Sequence, residues 1–397
     1  MPSGLTPPAT PTKATHSKTN SASSVLSTLS AHPQRTDSVT AIEPVTLEFP
    51  YWQTDYTYSK KDKLGEGVWS DVYLARPSLP NPEAQKPGAH TRLSEATPPI
   101  TPYDLSSTTQ SKPTQLPSLP KAYAIKHPAS RSSKQVLLAE ARILSHLTQF
   151  SDAEAHIVNF YGLDTRTGAL VLRAMDTSLE SWVQNTLNKL APHQRTALLA
   201  TTFPTLAISL LNSLAWMHAR SCVHADIKPG NILLTTSSPG SPKPVYSDCS
   251  SSLLTTPSLT SSDTPSTLGG GTWDFLDPLL LSSKKDAAPS TESDLWALAM
   301  TLLFVVLGDS PFACVPGNNL FLRRDLIKKG EPMACVGMGE SGGRNRERLA
   351  SLGKALGWDV AKWFAKVLVG DAGKRVGMGE WGDEVKGFTV GSGGAKI

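Results

Sequence analysis

Hydrophobic and polar positions change rhythm several times along this chain of 397 residues. Residues 1–46 show no apolar periodicity and are dominated by Ser, Thr and Pro, the composition of a disordered tail. From Leu47 the aromatics Phe49, Tyr51, Trp52, Tyr56 and Tyr58 gather. The run LGEGVWSDVYLAR (64–76) follows, with turn glycines ahead of alternating Val72 and Leu74, which predicts a hairpin. Low complexity returns at 77–120 and reads as a disordered insertion between two strands, tolerated because loop closure grows costly only slowly with length. Globular sequence resumes with KAYAIK (121–126), a predicted strand.

Beyond it, residues 132–150 carry Val136, Leu137, Ala139, Ile143, Leu144 and Leu147 at helical spacing. IVNFYGL and GALVLRAM predict strands, and a long helix is expected from about Phe203 to Arg220. ESDLWALAMTLLFVVLG (292–308) is apolar nearly all round, the pattern of a helix threaded through a core. The remainder is mostly helical up to a Gly-rich end; residues 337–343 read as a solvated loop and 391–397 as a flexible tail. Strands precede helices, so the fold class is α+β, with a small β-rich lobe ahead of a larger helical one. Without tail and insertion, roughly 300 residues remain, the size of one two-lobed domain over 47–390. The N-lobe takes about 47–173 and the C-lobe about 177–390.

Composition narrows the classes. Charged residues make up 18% of the chain, below the usual ~25%, and the net charge of +4 comes without a basic stripe interleaved with aromatics. No nucleic-acid partner is expected. Cys222, Cys249, Cys314 and Cys335 lack CxxC spacing and read as reduced thiols, which points to an intracellular location, cytoplasmic or nuclear. No run of ~18 uninterrupted apolar residues suggests a membrane span. The N-terminus lacks an apolar signal core. Residues 1–36 hold Lys13, Lys18 and Arg35 without an acid, as transit peptides do, but their prolines oppose an amphipathic helix.

The chemistry is concentrated in a few short runs. Gly65 and Gly67 let a hairpin backbone approach phosphates closely, although a glycine turn in an ordinary hairpin has the same pattern. Lys126 ends a predicted strand, where a buried ammonium needs an anion; an edge-strand lysine in solvent is the bland alternative. Glu140 lies beside the apolar stripe of the next helix, either within reach of Lys126 or simply on the helix surface. The most specific run is VHADIKPGNILL (223–234), which packs Asp226, Lys228 and Asn231 into one loop. A carboxylate to orient a hydroxyl, a cation for a phosphate and an amide oxygen for Mg²⁺ are the parts that phosphoryl transfer requires.

That run resembles the catalytic loop of eukaryotic-type protein kinases, H-R-D-x-K-P-x-N, and other runs resemble further family elements in the same order. VYSDCSS resembles the strand end carrying Asp-Phe-Gly, GTWDFLDP the end of the activation segment, and SDLWALAMTLLFVVLGDSPF the central helix. DAGKRVGMGEWGDEV resembles the late arginine element. The resemblance implies a bilobal kinase fold and a serine/threonine kinase using ATP and Mg²⁺ on protein substrates, and a monomer is expected. By resemblance, Asp226, Lys228, Lys126 and Glu140 are catalytic, and Asn231 and Asp248 hold metal. Leu64, Gly65, Gly67, Val72, Ala124, Lys126, Arg173, Met175 and Leu233 bind the nucleotide, with Leu172 gating the pocket behind it. Thr272, Asp294 and Arg375 serve the substrate platform and scaffold.

Departures from the family pattern are Ser70 for the third glycine, Ala225 for the loop arginine, Cys249 and Ser250 for Phe and Gly, and Leu279 for the glutamate that pairs the late arginine. Ala225 implies that activation-segment phosphorylation is not obligatory. Cys249 leaves volume for its neighbours to fill, Ser250 restricts the backbone, and Arg375 must find another partner. A kinase-shaped binding module without significant catalysis is therefore the alternative function. A small-molecule kinase is opposed by GTWDFLDP and the Arg375 run, which belong to a protein-substrate platform.

Overall fold

A computed structural model describes residues 45–80, 120–236, 242–255, 273–281, 287–316 and 319–392. Most of the expected tail and insertion lies outside these, as does Thr272.

The first lobe is an antiparallel sheet of five strands in the order β1-β2-β3-β5-β4. These are β1 (Asp55–Glu66), β2 (Ser70–Ser78), β3 (Tyr123–Pro128), β4 (Phe160–Asp164) and β5 (Ala169–Arg173), with α1 (Ser133–Thr148) inserted after β3. Strand alternation sorts their residues by face. Tyr123, Ile125, Ala169 and Val171 point to one side and pack with Phe49 and Ala75 in a small separate core. Ala124, Leu170 and Leu172 point to the other, into the main core with Leu137, Ala141 and Leu144 of α1. The same alternation puts Lys126 on the face of Ala124. The chain just before β1 closes the lobe: Phe49 N–H donates to Leu163 O at 2.9 Å and Leu163 N–H to Leu47 O at 2.8 Å.

The second lobe opens with β6 (Thr177–Ser178), α2 (Leu179–Asn185) and α3 (Pro192–His218). Next come β7 (Cys222–Val223), β8 (Ile232–Thr235), β9 (Lys243–Tyr246) and β10 (Leu253–Leu254). Then follow α4 (Thr291–Leu307), α5 (Leu320–Lys329), α6 (Pro332–Cys335), α7 (Gly342–Leu356), α8 (Val360–Ala365) and α9 (Met378–Ser392). Residues 293–307 of α4 are all buried, as its unbroken apolar run predicts. Ser290 and Ser293 cap its start reciprocally, and Gly308, at φ 80°, ends it in the left-handed region that glycine adopts without strain.

Three sequence expectations are corrected. The helix expected from Phe203 begins at Pro192 and runs through Pro204. Pro204 reads as a helix start because it lacks an N–H, but burial of Arg195, Leu199, Thr202 and Phe203 carries the helix across it. This α3 also has the length and mean hydropathy (1.5) of a membrane span, with half of that window buried in the fold. The 337–343 segment is not merely a solvated loop: Gly342 is buried at the start of α7, where a Cβ would lie 2.2 Å from Gly337 O. Finally, α9 continues through Ser392, into the expected tail.

Candidate active site

A cleft of about 590 Å³ lies between the lobes, bounded above by Leu64, Gly65, Gly67 and Val72 and below by Asn231 and Leu233. The β1–β2 turn forms its roof. Gly65 pairs with Val72 across the hairpin, and a Cβ on Gly65 would meet nothing within 4 Å, so this backbone lies open to a ligand.

At the back, Lys126 Nζ bonds both carboxylate oxygens of Glu140, at 2.8 and 2.7 Å, and Asp248 Oδ1 at 2.8 Å. Lys126 and Glu140 are 6% and 1% exposed, so α1 delivers its one buried carboxylate to a buried ammonium. Burial opposes charge on Lys126, but Glu140 and then Asp248 more than offset it and hold its pKa above the ordinary lysine value. Burial is also the first influence on Glu140 and raises it, with Lys126 pulling the other way. For Asp248 the charge and hydrogen bond of Lys126 overcome burial and hold the carboxyl well below the usual range. Ser250, where the family has glycine, also lowers it by hydrogen bonding. Asp248 sits at φ 60°, a left-handed conformation Asp tolerates better than most residues.

The catalytic-loop run converges on Asp226. Lys228 Nζ and Asn231 Nδ2 both donate to Asp226 Oδ2, at 2.8 and 2.9 Å, and Asn231 Nδ2 also donates to Asp226 O at 2.8 Å. Oδ1 of Asp226 and Oδ1 of Asn231 stand outside these bonds. The loop is fixed from below by Asp294 on α4, whose carboxylate accepts the His224 and Ala225 N–H groups at 2.8 Å each. Ala225 is held at φ 63° in the process. His224 bonds Ser247 O at 3.0 Å, and Ser247 donates to Asn231 O from both N and Oγ at 2.9 Å, which ties the Asp226 loop to the strand leading into Asp248.

Val72, Ala124, Leu172, Met175 and Leu233 line the apolar part of the cleft. Arg173 N–H is committed to Asn159 O at 2.9 Å, whereas the Met175 backbone makes no hydrogen bond to any described residue and is open to a base. The structure thus brings Lys126, Glu140, Asn231, Asp248 and the residues expected to bind a nucleotide around one cavity, with Asp226 and Lys228 bonded to its floor. Asp294 lies beneath the loop. Arg375 is elsewhere, buried against Asp277, which occupies the role left vacant by Leu279. The sequence left this partner open; an acid two residues before the missing glutamate was its signal. The Ser247 and His224 contacts were missed entirely, because neither residue type stands out in a loop.

A family model for the protein kinase domain matches residues 119–329. The chain belongs to the protein kinase family. Among curated relatives of this kinase domain, serine/threonine-protein kinase ISR1 of Eremothecium gossypii is 35% identical over 129 residues, covering 28% of this chain and 35% of that protein. Serine/threonine-protein kinase ppk21 of Schizosaccharomyces pombe is 30% identical over 118 residues, 29% of this chain and 20% of the relative. Serine/threonine-protein kinase TOS3 of Saccharomyces cerevisiae is 29% identical over 121 residues, 29% and 21% respectively. The matches span about a third or less of these relatives' lengths.

Proposed function

We propose that this kinase-family protein transfers the γ-phosphoryl group of ATP to serine or threonine hydroxyls of protein substrates. The observation that carries the reading is the joint arrangement of Lys126, Glu140 and Asp248 at the back of the cleft and of Asp226, Lys228 and Asn231 at its floor. The serine/threonine preference rests on Lys228, two residues after Asp226, and on the names of the relatives.

The residues present fit Mg²⁺. One ammonium faces two carboxylates in the Lys126 cluster, which leaves negative charge beside Asp248, and Asn231 offers its amide oxygen. Mg²⁺ is commonly held by one or two protein oxygens together with substrate phosphates and waters. When bound, it supplies charge neutralisation at the phosphates. Asp226 accepts the hydrogen bond of the substrate hydroxyl through Oδ1 and orients its oxygen in line with the γ-phosphorus. The new O–P bond forms as the β–γ bridging bond breaks, ADP leaves and the hydroxyl proton passes to Asp226 Oδ1. Lys126, held by Glu140, contacts the α- and β-phosphates, and Lys228 offsets charge on the γ-phosphate. Gly65 and Gly67 cover the phosphates, and Val72, Ala124 and Leu233 hold the base against the Met175 backbone. Thr272 completes the substrate platform. The protein acts as a monomer inside the cell, in the cytoplasm or nucleus, where its thiols stay reduced.

Incubation with Mg²⁺, radiolabelled ATP and a generic protein substrate, beside Asp226→Asn and Lys126→Met, tests this. Labelled serine or threonine with wild type alone supports it. No labelling by any version, with Mg²⁺-ATP still raising the melting temperature of wild type, assigns a nucleotide-binding module instead.

A further inference from the structure

The first turn of α5 is apolar and faces outward. Leu320, Phe321 and Leu322 are consecutive and exposed, Phe321 to 91% and Leu320 to 60%. The turn beneath them is firmly made: Asn319 Oδ1 accepts from Leu322 N–H and Asn319 O from Arg323 N–H, each at 3.1 Å. Ile327 is the residue that α5 buries, so the fold gains nothing from this apolar turn. A run of exposed apolar residues on a rigid turn is a mark of a contact surface.

Two neighbouring arginines join this helix to the end of the activation segment. Arg323 donates from Nε to Asp274 Oδ1 at 2.9 Å and from Nη2 to Asp274 Oδ2, and Asp274 is buried. The guanidinium of Arg324 lies 5.2 Å from the ring centre of Trp273, which is itself exposed. Trp273 directly follows Thr272, the residue assigned above to the substrate platform. Helical spacing sets Phe321, Arg324 and Lys328 in one stripe, with Leu320 one turn from Arg324. The stripe is basic. Arg323 and Lys329 are paired with Asp274 and Asp325, whereas Arg324 and Lys328 meet no carboxylate in an ion pair among the described residues.

We propose that the surface running from Trp273 over Arg324 to Leu320 and Phe321 docks the protein substrate through an apolar and acidic segment outside its phosphoacceptor site. The identity of the partner as substrate rests on the kinase reading. Continuity selects it: a chain leaving the platform past Trp273 meets Arg324 and then the apolar turn. The Arg323–Asp274 pair holds platform and docking face in one fixed orientation. Charge selects the segment, because apolar side chains cover Leu320 and Phe321 while carboxylates face Arg324 and Lys328.

The test is binding, without ATP, of fluorescently labelled dephosphorylated β-casein, an acidic and apolar chain, and of histone H1, a basic one. Full-length wild type, Phe321→Ser and Arg324→Glu are compared, with Tm as the check on folding. Casein should bind wild type, and each substitution should weaken it by about tenfold or more. Histone should bind wild type no better than Arg324→Glu. With Mg²⁺-ATP, Phe321→Ser should raise the KM for casein and leave kcat within about twofold. Casein that fails to bind wild type, or binds all three proteins alike, overturns the docking face even where casein is phosphorylated. Binding that depends on Phe321 and Arg324 without any phosphorylation overturns the kinase reading and keeps the face as a site for a protein of this chemistry. Self-association of wild type that Phe321→Ser abolishes would assign the face to a second copy of the chain and overturn the proposal.

Discussion

Arg375 donates two hydrogen bonds to Asp277, residues 98 positions apart in the chain, with side chains 6% and 1% exposed. A third bond joins Arg375 Nε to Val369 O at 2.7 Å, and the guanidinium lies 4.4 Å from the ring centre of Trp296 on α4. The pair thus clamps the end of the activation segment to the central helix. Pro278 and Leu279 follow Asp277 directly, so the acid that meets Arg375 stands two positions before the place where the family pattern has its glutamate.

Removing one partner of such a pair leaves an uncompensated buried charge, which typically costs about 3–5 kcal/mol. Asp277→Ala should therefore destabilise the fold by about that amount in urea titrations. Asp277→Ala combined with Arg375→Met, which replaces the cation with a packing group, should recover much of the loss. Equal instability of the single and double variants would show that the charge is not the cause.

Much of this molecule was legible in its residues, for reasons that differ by element. Asp226, Lys228 and Asn231 were legible because their chemistry is compressed into one loop, where few structural roles need a carboxylate, an ammonium and an amide together. The α4 helix was legible because only a core tolerates an all-round apolar surface. Lys126 and Glu140 were legible only as candidates, since their meeting depends on α1 packing across the sheet. What escaped was set by distant packing. Pro204 hides the first turns of α3, which form because their side chains are buried. Gly342 has no motif, and its constraint comes from Gly337 O folding back against it.

Cys249 fills the position where the family carries phenylalanine, and it is fully buried beside Glu140. Burial pushes its thiol up to about 12, so the nucleophilic thiolate is scarce at neutral pH. We expect iodoacetamide to label the partly exposed Cys314 first and Cys249 only on unfolding. The larger side chain of Cys249→Phe would overpack this site and should destabilise by about 1–3 kcal/mol, despite matching the family pattern. Peptide mapping by mass spectrometry checks the labelling order, and a urea midpoint at or above wild type would refute the overpacking.

Asp55 anchors the first strand through Arg166, which bonds both of its oxygens at 2.8 and 2.7 Å and also holds Asp164. Hydrogen bonding by Arg166 lowers the Asp55 pKa below 3.8 against the effect of burial. A lowered carboxylate stabilises the fold above its unfolded pKa, and that contribution disappears as pH falls through the folded value. Asp55→Asn should accordingly be less stable than wild type at pH 6, with the difference shrinking below about pH 4 as the acid is protonated in both states. Urea midpoints from pH 2.5 to 7 measure this; a constant difference across the range would exclude the linkage.

Asp294 holds the backbone that leads into Asp226 from outside the cleft. Its Oδ2 accepts from His224 N at 2.8 Å and contacts His218 Nε2 at 2.9 Å, while Oδ1 accepts from Ala225 N at 2.8 Å. Asparagine has one oxygen for these partners and would turn an N–H₂ group toward one of the backbone donors. The loop must then relax at Ala225, whose left-handed backbone precedes Asp226 directly. A displacement on the order of 1 Å at a reacting group can cost about 100-fold in rate. Asp294→Asn should lower kcat by about that factor and change the KM for ATP less, because Lys126 and Glu140 pair with each other on β3 and α1, away from the loop that Asp294 holds. Near-UV circular dichroism separates this from global unfolding. A folded Asp294→Asn protein with wild-type kcat would mean that the loop holds its shape by the Ser247 and His224 bonds and by Ser252 Oγ, which donates to His224 O at 3.0 Å, alone.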